Sequence, residues 1–99
     1  MRYARGMAWF VYIVECNDGS LYTGITTDVE RRVSEHNAGV GAKYTRVRTP
    51  VRLVYEEEAS DRSSASKREW AIKQCPRATK LRMATAWEGR FAGGCAEDR

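Results

Sequence analysis

Five side chains in this sequence have the types and spacing that hydrolysis of a phosphodiester needs. Tyr12 and Tyr22 lie in two short apolar runs, Arg32 and His36 are four residues apart, and Glu69 stands alone further on. A phenol hydrogen-bonded to a base such as His36 can take a proton from water. The rigid fork of Arg32 suits the charge of a transition-state phosphate. A single carboxylate, Glu69, suffices for a hard divalent cation that keeps waters and phosphate in its shell. Taken singly, each group has an ordinary alternative: aromatic sheet residues, a solvated helix face, and a glutamate paired with Lys73 at i+4. Together they suggest one site.

The elements that would position them read clearly. Trp9 to Glu15 (WFVYIVE) is apolar at nearly every position, as in a central strand covered on both faces. Leu21 to Thr26 (LYTGIT) follows after turn residues, which predicts a hairpin. A three-residue loop, Asn17-Asp18-Gly19, pairs Cys16 with Ser20, Val14 with Tyr22 and Tyr12 with Gly24, and puts both phenols on one face. Gly24 would then leave a gap beside Tyr12 that a backbone or ligand could enter. Thr27 and Glu30 fit a capping box for a helix from about Asp28 to Asn37 or Ala38, ended by Gly39. Arg32 and His36 share one face of it.

Val40 to Thr49 reads as a basic loop, and Val51 to Glu57 as a third, edge strand after Pro50. A second helix begins at Ser60-Asp61 and stops by Pro76. Its stripe of Ala65, Glu69 and Ile72 gives Glu69 a core-facing position. Pro76 opens a short third helix with Leu81, Met83, Ala84 and Trp87. The expected fold is α+β, a small three-stranded antiparallel sheet flanked by helices in the order β-β-α-β-α-α. Residues 1–7 are expected to be a flexible extension, 8–87 the domain, and 88–99 a loose glycine-rich tail.

Ninety-nine residues make one small domain. No apolar run approaches the roughly 20 residues of a membrane helix, and the first residues lack the apolar block of a signal peptide. Three widely spaced cysteines without a CxxC pair fit free thiols in a reducing compartment. The cytoplasm is the expected location. A net charge of +4 points mildly to an anionic partner. The cations are bunched, with Lys43, Arg46, Arg48 and Arg52 falling in ten residues without an acid. Lys43, Tyr44, Arg46, Arg48 and Lys73 are the candidate nucleic-acid contacts. Tyr44 would either stack on an exposed base or pin the loop to the body.

The phrases VYI (Val11 to Ile13), YTG (Tyr22 to Gly24), LYTGITTDVERRVSEHNAG, KYTRVRTPVRLVYEE and ASKREWAIKQ resemble the GIY-YIG nuclease domain. More narrowly they resemble the small stand-alone UPF0213 group, over about Ala8 to Trp87. The resemblance implies one-metal (Mg²⁺ or Mn²⁺) cleavage of DNA through backbone contacts, with low sequence specificity and a preference for branched, nicked or single-stranded forms. It implies that Tyr12 and Tyr22 line the site and one of them is the base. Arg32 would bind phosphate, His36 would support a tyrosine, and Glu69 would hold the metal. Val11 and Thr23 depart from the motif at tolerant strand positions. The larger nucleases carry a phosphate-binding asparagine after the glutamate, and here none follows Asn37; Lys73 or Lys80 is the substitute on offer. A nucleic-acid-binding module with little or no turnover is the alternative function.

Overall fold

In the computed structural model, residues 8–96 are described, with side chains through Glu88. Strand β1 (Trp9–Glu15) is the middle of a three-stranded antiparallel sheet, with β2 (Leu21–Thr26) and β3 (Arg52–Ala59) as its edges. Between the hairpin and β3 come helix α1 (Val29–Asn37) and a short α2 (Lys43–Arg46). Helices α3 (Arg62–Lys73) and α4 (Arg77–Ala96) follow β3.

Alternation along β1 builds two apolar layers. Phe10, Tyr12, Val14 and Cys16 face one side with Val29 and Val33 of α1, Val51, Leu53 and Tyr22. Val11 and Ile13 face the other with Val54, Ala65 and Ile72 of α3, and Ala84 of α4. Burial of a side chain such as Ile13 or Val11, each 0% exposed, contributes roughly 1.5–3 kcal/mol. The apolar run of β1 is therefore what a strand between two helical layers requires.

The hairpin has the expected register. Cys16 N–H donates to Ser20 O at 2.8 Å, Val14 pairs with Tyr22 and Tyr12 with Gly24. Gly19 takes φ +85°, a conformation glycine adopts without a Cβ penalty. The gap beside Gly24 is not open, however. The ring of Tyr12 fills it, since a Cβ built on Gly24 would stand 2.6 Å from the Tyr12 hydroxyl.

Other expectations need correction. Asp28, not Thr27, caps α1, with its Oδ1 accepting from Arg31 N–H at 3.1 Å; aspartate is the stronger cap. The basic loop contains α2, whose Thr45 is fully buried. Strand β3 begins one residue late and runs two residues further, to Ala59, with an irregularity opposite Ile13 and Val14. Asp61 caps α3 through Ser64 N–H. Helix α4 is long, not short, and continues to Ala96 through the stretch read as a tail, despite Gly89, Gly93 and Gly94; no proline interrupts it after Pro76. The expectation for residues 1–7 lies outside the described residues.

Candidate active site

The α1 face of the sheet holds a buried chain of polar groups. Tyr12 and His36 are 1% and 0% exposed, and the phenol oxygen is 2.8 Å from His36 Nε2. On the far side of the ring, His36 Nδ1 is 2.7 Å from Thr45 Oγ1, and that hydroxyl donates to Ala42 O at 3.0 Å. The single Thr45 proton goes to the carbonyl, so Nδ1 must carry the imidazole proton and donate to Oγ1. Ala42 N–H also approaches Nδ1, at 3.4 Å; the two shorter contacts decide the tautomer. Nε2 is then the bare nitrogen, and Tyr12 O–H donates to it.

Glycines make room for this pair on both sides. Gly24 admits the Tyr12 ring, and a Cβ on Gly41 would collide with the His36 ring and come 2.9 Å from its Cα. Gly41 and Thr45 went unrecognised in the sequence because their contacts with His36 are tertiary. A threonine in a basic loop carries no periodic signal, though the glycine four residues before it marks a close backbone approach.

Burial pushes the Tyr12 phenol up to about 12, with the charges of Tyr22 and Glu69 adding to the rise and the Arg32 guanidinium opposing it. Burial also holds His36 below its usual range, and Arg32 adds to that, while Glu35 acts the other way. At neutral pH the phenol is protonated and the imidazole neutral, as the tautomer requires. Arg32 Nη1 is 2.9 Å from Glu35 Oε1. This contact, first, and the Tyr12 hydroxyl, second to it in favour, keep the guanidinium charged against its burial.

Tyr22 completes an aromatic cluster. Its ring meets His36 edge-on, with centroids 5.4 Å apart, and stacks on Tyr44 at 6.0 Å. The other influence on Tyr44 is Arg48, whose guanidinium lies 4.0 Å from its ring centroid. Arg48 is itself held by Asp18 at 3.1 Å and by Tyr44 O at 2.8 Å. These contacts fasten α2, and with it Thr45, onto the hairpin, while Tyr44 itself stays 39% exposed. Lys43 and Arg46 are exposed on α2. Arg52 points elsewhere, paired with Glu15 and Glu88.

Glu69 lies on α3, which packs beside β2. Its helix packs Ala65 and Ile72 on the opposite face, yet the Glu69 charge acts on Tyr12. Its side chain is 23% exposed and its Oε2 is 3.1 Å from Lys73 Nζ, which lies 6.0 Å from the Tyr22 ring centroid. It is half-buried rather than core-facing, because α3 runs beside β2, an edge strand with no neighbour beyond it. Among the described residues, no three His, Cys, Asp or Glu gather to hold a metal by themselves. One carboxylate fits a hard cation such as Mg²⁺ or Mn²⁺ that retains waters and takes oxygens from a substrate phosphate; it does not fit a structural zinc site.

A family model described as the GIY-YIG catalytic domain matches residues 8–82. The chain belongs to the GIY-YIG nuclease-domain family. Within it the similarity is to UPF0213 proteins. One from Desulfotalea psychrophila is 58% identical over 86 residues, covering 86% of this chain and 78% of the relative. Another, from Haloquadratum walsbyi, is 64% identical over 75 residues, 76% of this chain and 84% of the relative. The solution NMR structure of a UPF0213 protein from Bacillus halodurans superimposes with a TM-score of 0.55 at 44% identity, covering 86% of this chain and 90% of that one. A second NMR structure, of a protein from E. faecalis, gives 0.55 at 41% identity, covering 82% and 86%.

Proposed function

We propose that this protein is a divalent-metal-dependent DNA endonuclease that recognises the phosphate backbone and the form of the DNA rather than its base sequence. The observation that carries the reading is the buried Tyr12–His36–Thr45 relay beside Arg32 and within the field of Glu69. In this reading Arg32 binds the scissile phosphate and brings the attacking water to Tyr12. The water gives its proton to the Tyr12 oxygen as Tyr12 passes its own to His36 Nε2, and the resulting imidazolium is supported through Thr45. Tyr12 is the base because it is the phenol with an acceptor for its proton; Tyr22, which lines the outer cleft, orients the substrate. Glu69 would hold Mg²⁺ or Mn²⁺, which supplies Lewis-acid stabilisation of the phosphate charge; Lys73 must release the carboxylate for this. Lys43 and Arg46, exposed on α2, contact neighbouring phosphates. The free thiols of Cys16 and Cys75 suit the cytoplasm. Among the described residues, no helix is long and apolar enough to cross a membrane.

The test is cleavage of nicked, branched, single-stranded and duplex DNA with Mg²⁺ or Mn²⁺. Wild type should cut a non-duplex form, and Arg32→Ala and Glu69→Ala should each lose at least about a hundredfold, as expected for removal of a transition-state contact. Activity that persists in either variant removes the mechanism. A second reading, a binding module without turnover, is favoured by the Lys73–Glu69 pair and by the lack of an asparagine after Glu69. It predicts equal DNA binding with and without metal and no product on long incubation.

A further inference from the structure

Across the free edge of β2 lies a cleft of about 280 Å³, of which the mechanism uses only the Tyr22 wall. Leu21, Tyr22, Thr23, Tyr44, Lys73 and Lys80 line it. Leu21 and Thr23 belong to the α3 side of the strand, whereas Tyr22 packs on the α1 side. The cleft therefore wraps the strand edge and opens directly beside the candidate active site. It is several times the roughly 30 Å³ of a water molecule, and no carboxylate is among its lining residues.

Two cations converge on this space. Lys73 has Glu69 as a partner. Lys80 is only partly exposed and, among the described residues, no ion pair or side-chain hydrogen bond satisfies its ammonium. Both side chains line one cleft with no carboxylate among its walls, a setting that suits an anion. The local helix sharpens the point. Helices α1 and α3 begin on aspartate caps, but the first turn of α4 has no acidic residue and instead carries Arg77 and Lys80. Cations there oppose the helix dipole. Arg77 is occupied by Gly19 O at 2.9 Å, whereas Lys80 is turned to the cleft.

We propose that this cleft is a phosphate subsite in which Lys80, with Lys73, binds a backbone phosphate of the nucleic acid flanking the scissile one. The assignment rests on the nucleic-acid reading above and extends it: the strand would run from Arg32, past the Tyr22 hydroxyl, and over the β2 edge to Lys80. Lys80 is a positioning residue, remote from the reacting atoms.

The experiment measures binding of a fluorescent single-stranded DNA in metal-free buffer over a range of salt, for wild type, Lys80→Gln, Lys80→Arg and Lys67→Gln. Lys67 is an exposed cation of α3 outside the cleft. Loss of one charge-assisted phosphate contact should weaken binding roughly tenfold at low salt. It should lower the salt slope by about 0.7. Lys80→Arg and Lys67→Gln should stay within about twofold of wild type. Under cleavage conditions Lys80→Gln should raise KM and leave kcat nearly unchanged, as for uniform binding. If wild type binds DNA and Lys80→Gln matches it in affinity and slope, the subsite is refuted while the nucleic-acid reading stands. If wild type binds no DNA, that reading fails, and an NMR titration with inorganic pyrophosphate decides the subsite separately. Shifts at Tyr22, Thr23 and Lys80 that vanish in Lys80→Gln would uphold an anion site, and unmoved resonances would overturn it.

Discussion

Replacing Gly24 by alanine should dismantle the relay without touching any residue of it. The added Cβ would lie 2.6 Å from the Tyr12 oxygen and 2.8 Å from Cζ, against an ordinary contact of about 3.5–4.0 Å. The ring must therefore retreat by roughly 1 Å, and it is buried with its tip against His36. A 2.8 Å hydrogen bond stretched by that amount is no longer a bond. The cost combines overpacking, about 1–3 kcal/mol, with a buried imidazole nitrogen left unpaired, about 1–3 kcal/mol. Urea denaturation at neutral pH should register a loss of roughly 2–6 kcal/mol, and cleavage should fall as far as in Tyr12→Phe. In a Tyr12→Phe background the hydroxyl and its bond are already gone, so the same Gly24→Ala change should cost about 1–3 kcal/mol less. Additive effects, or a Gly24→Ala protein of wild-type stability, would refute the reasoning.

Further outcomes follow from the same geometry. Tyr12→Phe should lose about 10²–10⁴ in kcat and Tyr22→Phe markedly less, measured by single-turnover cleavage; the reverse order would exchange their roles. Thr45→Val leaves Nδ1–H without an acceptor, so it should cost roughly 1–3 kcal/mol in stability, read by thermal unfolding, and reduce cleavage although Thr45 touches no substrate. The pH dependence of stability has two flanks. His36 is held below its usual value, so the unfolded chain binds more protons and stability should fall as pH drops below about 6.5. Tyr12 is raised to about 12, so its contribution is complete below about pH 10 and should decline by roughly 3 kcal/mol as pH climbs from 10 to 12. Tyr55, also raised by burial, steepens that alkaline flank, and Tyr12→Phe should flatten it in denaturation curves.

The parts of this fold that could be read from the sequence are those governed by local chemistry. Asn17-Asp18-Gly19 dictated the loop, the loop dictated the register, and the register placed Tyr12 and Tyr22 on one face. The apolar run of β1 likewise announced a covered central strand. What escaped depends on contacts between distant segments. Thr45 matters because α2 is pinned by Tyr44 between Tyr22 and Arg48, and no short-range pattern encodes that stack. Glu69 was placed on the right helix, but its half-buried position at the β2 edge follows from the order β2-β1-β3, a tertiary fact. Asp28 is the cap because the helix starts one residue later than the Thr27 reading, which puts Arg31 N–H at the third helical position for Asp28 to meet.

The central claim is that Tyr12, Arg32 and Glu69 serve one phosphate. Paramagnetic broadening of amide signals by Mn²⁺, with a DNA strand bound, tests it most directly. Broadening should centre on Glu69 and extend across the β2 edge to Tyr22 and Tyr12, and Glu69→Gln should abolish it. Broadening centred on the Glu56-Glu57-Glu58 run of β3, unchanged in Glu69→Gln, would contradict it.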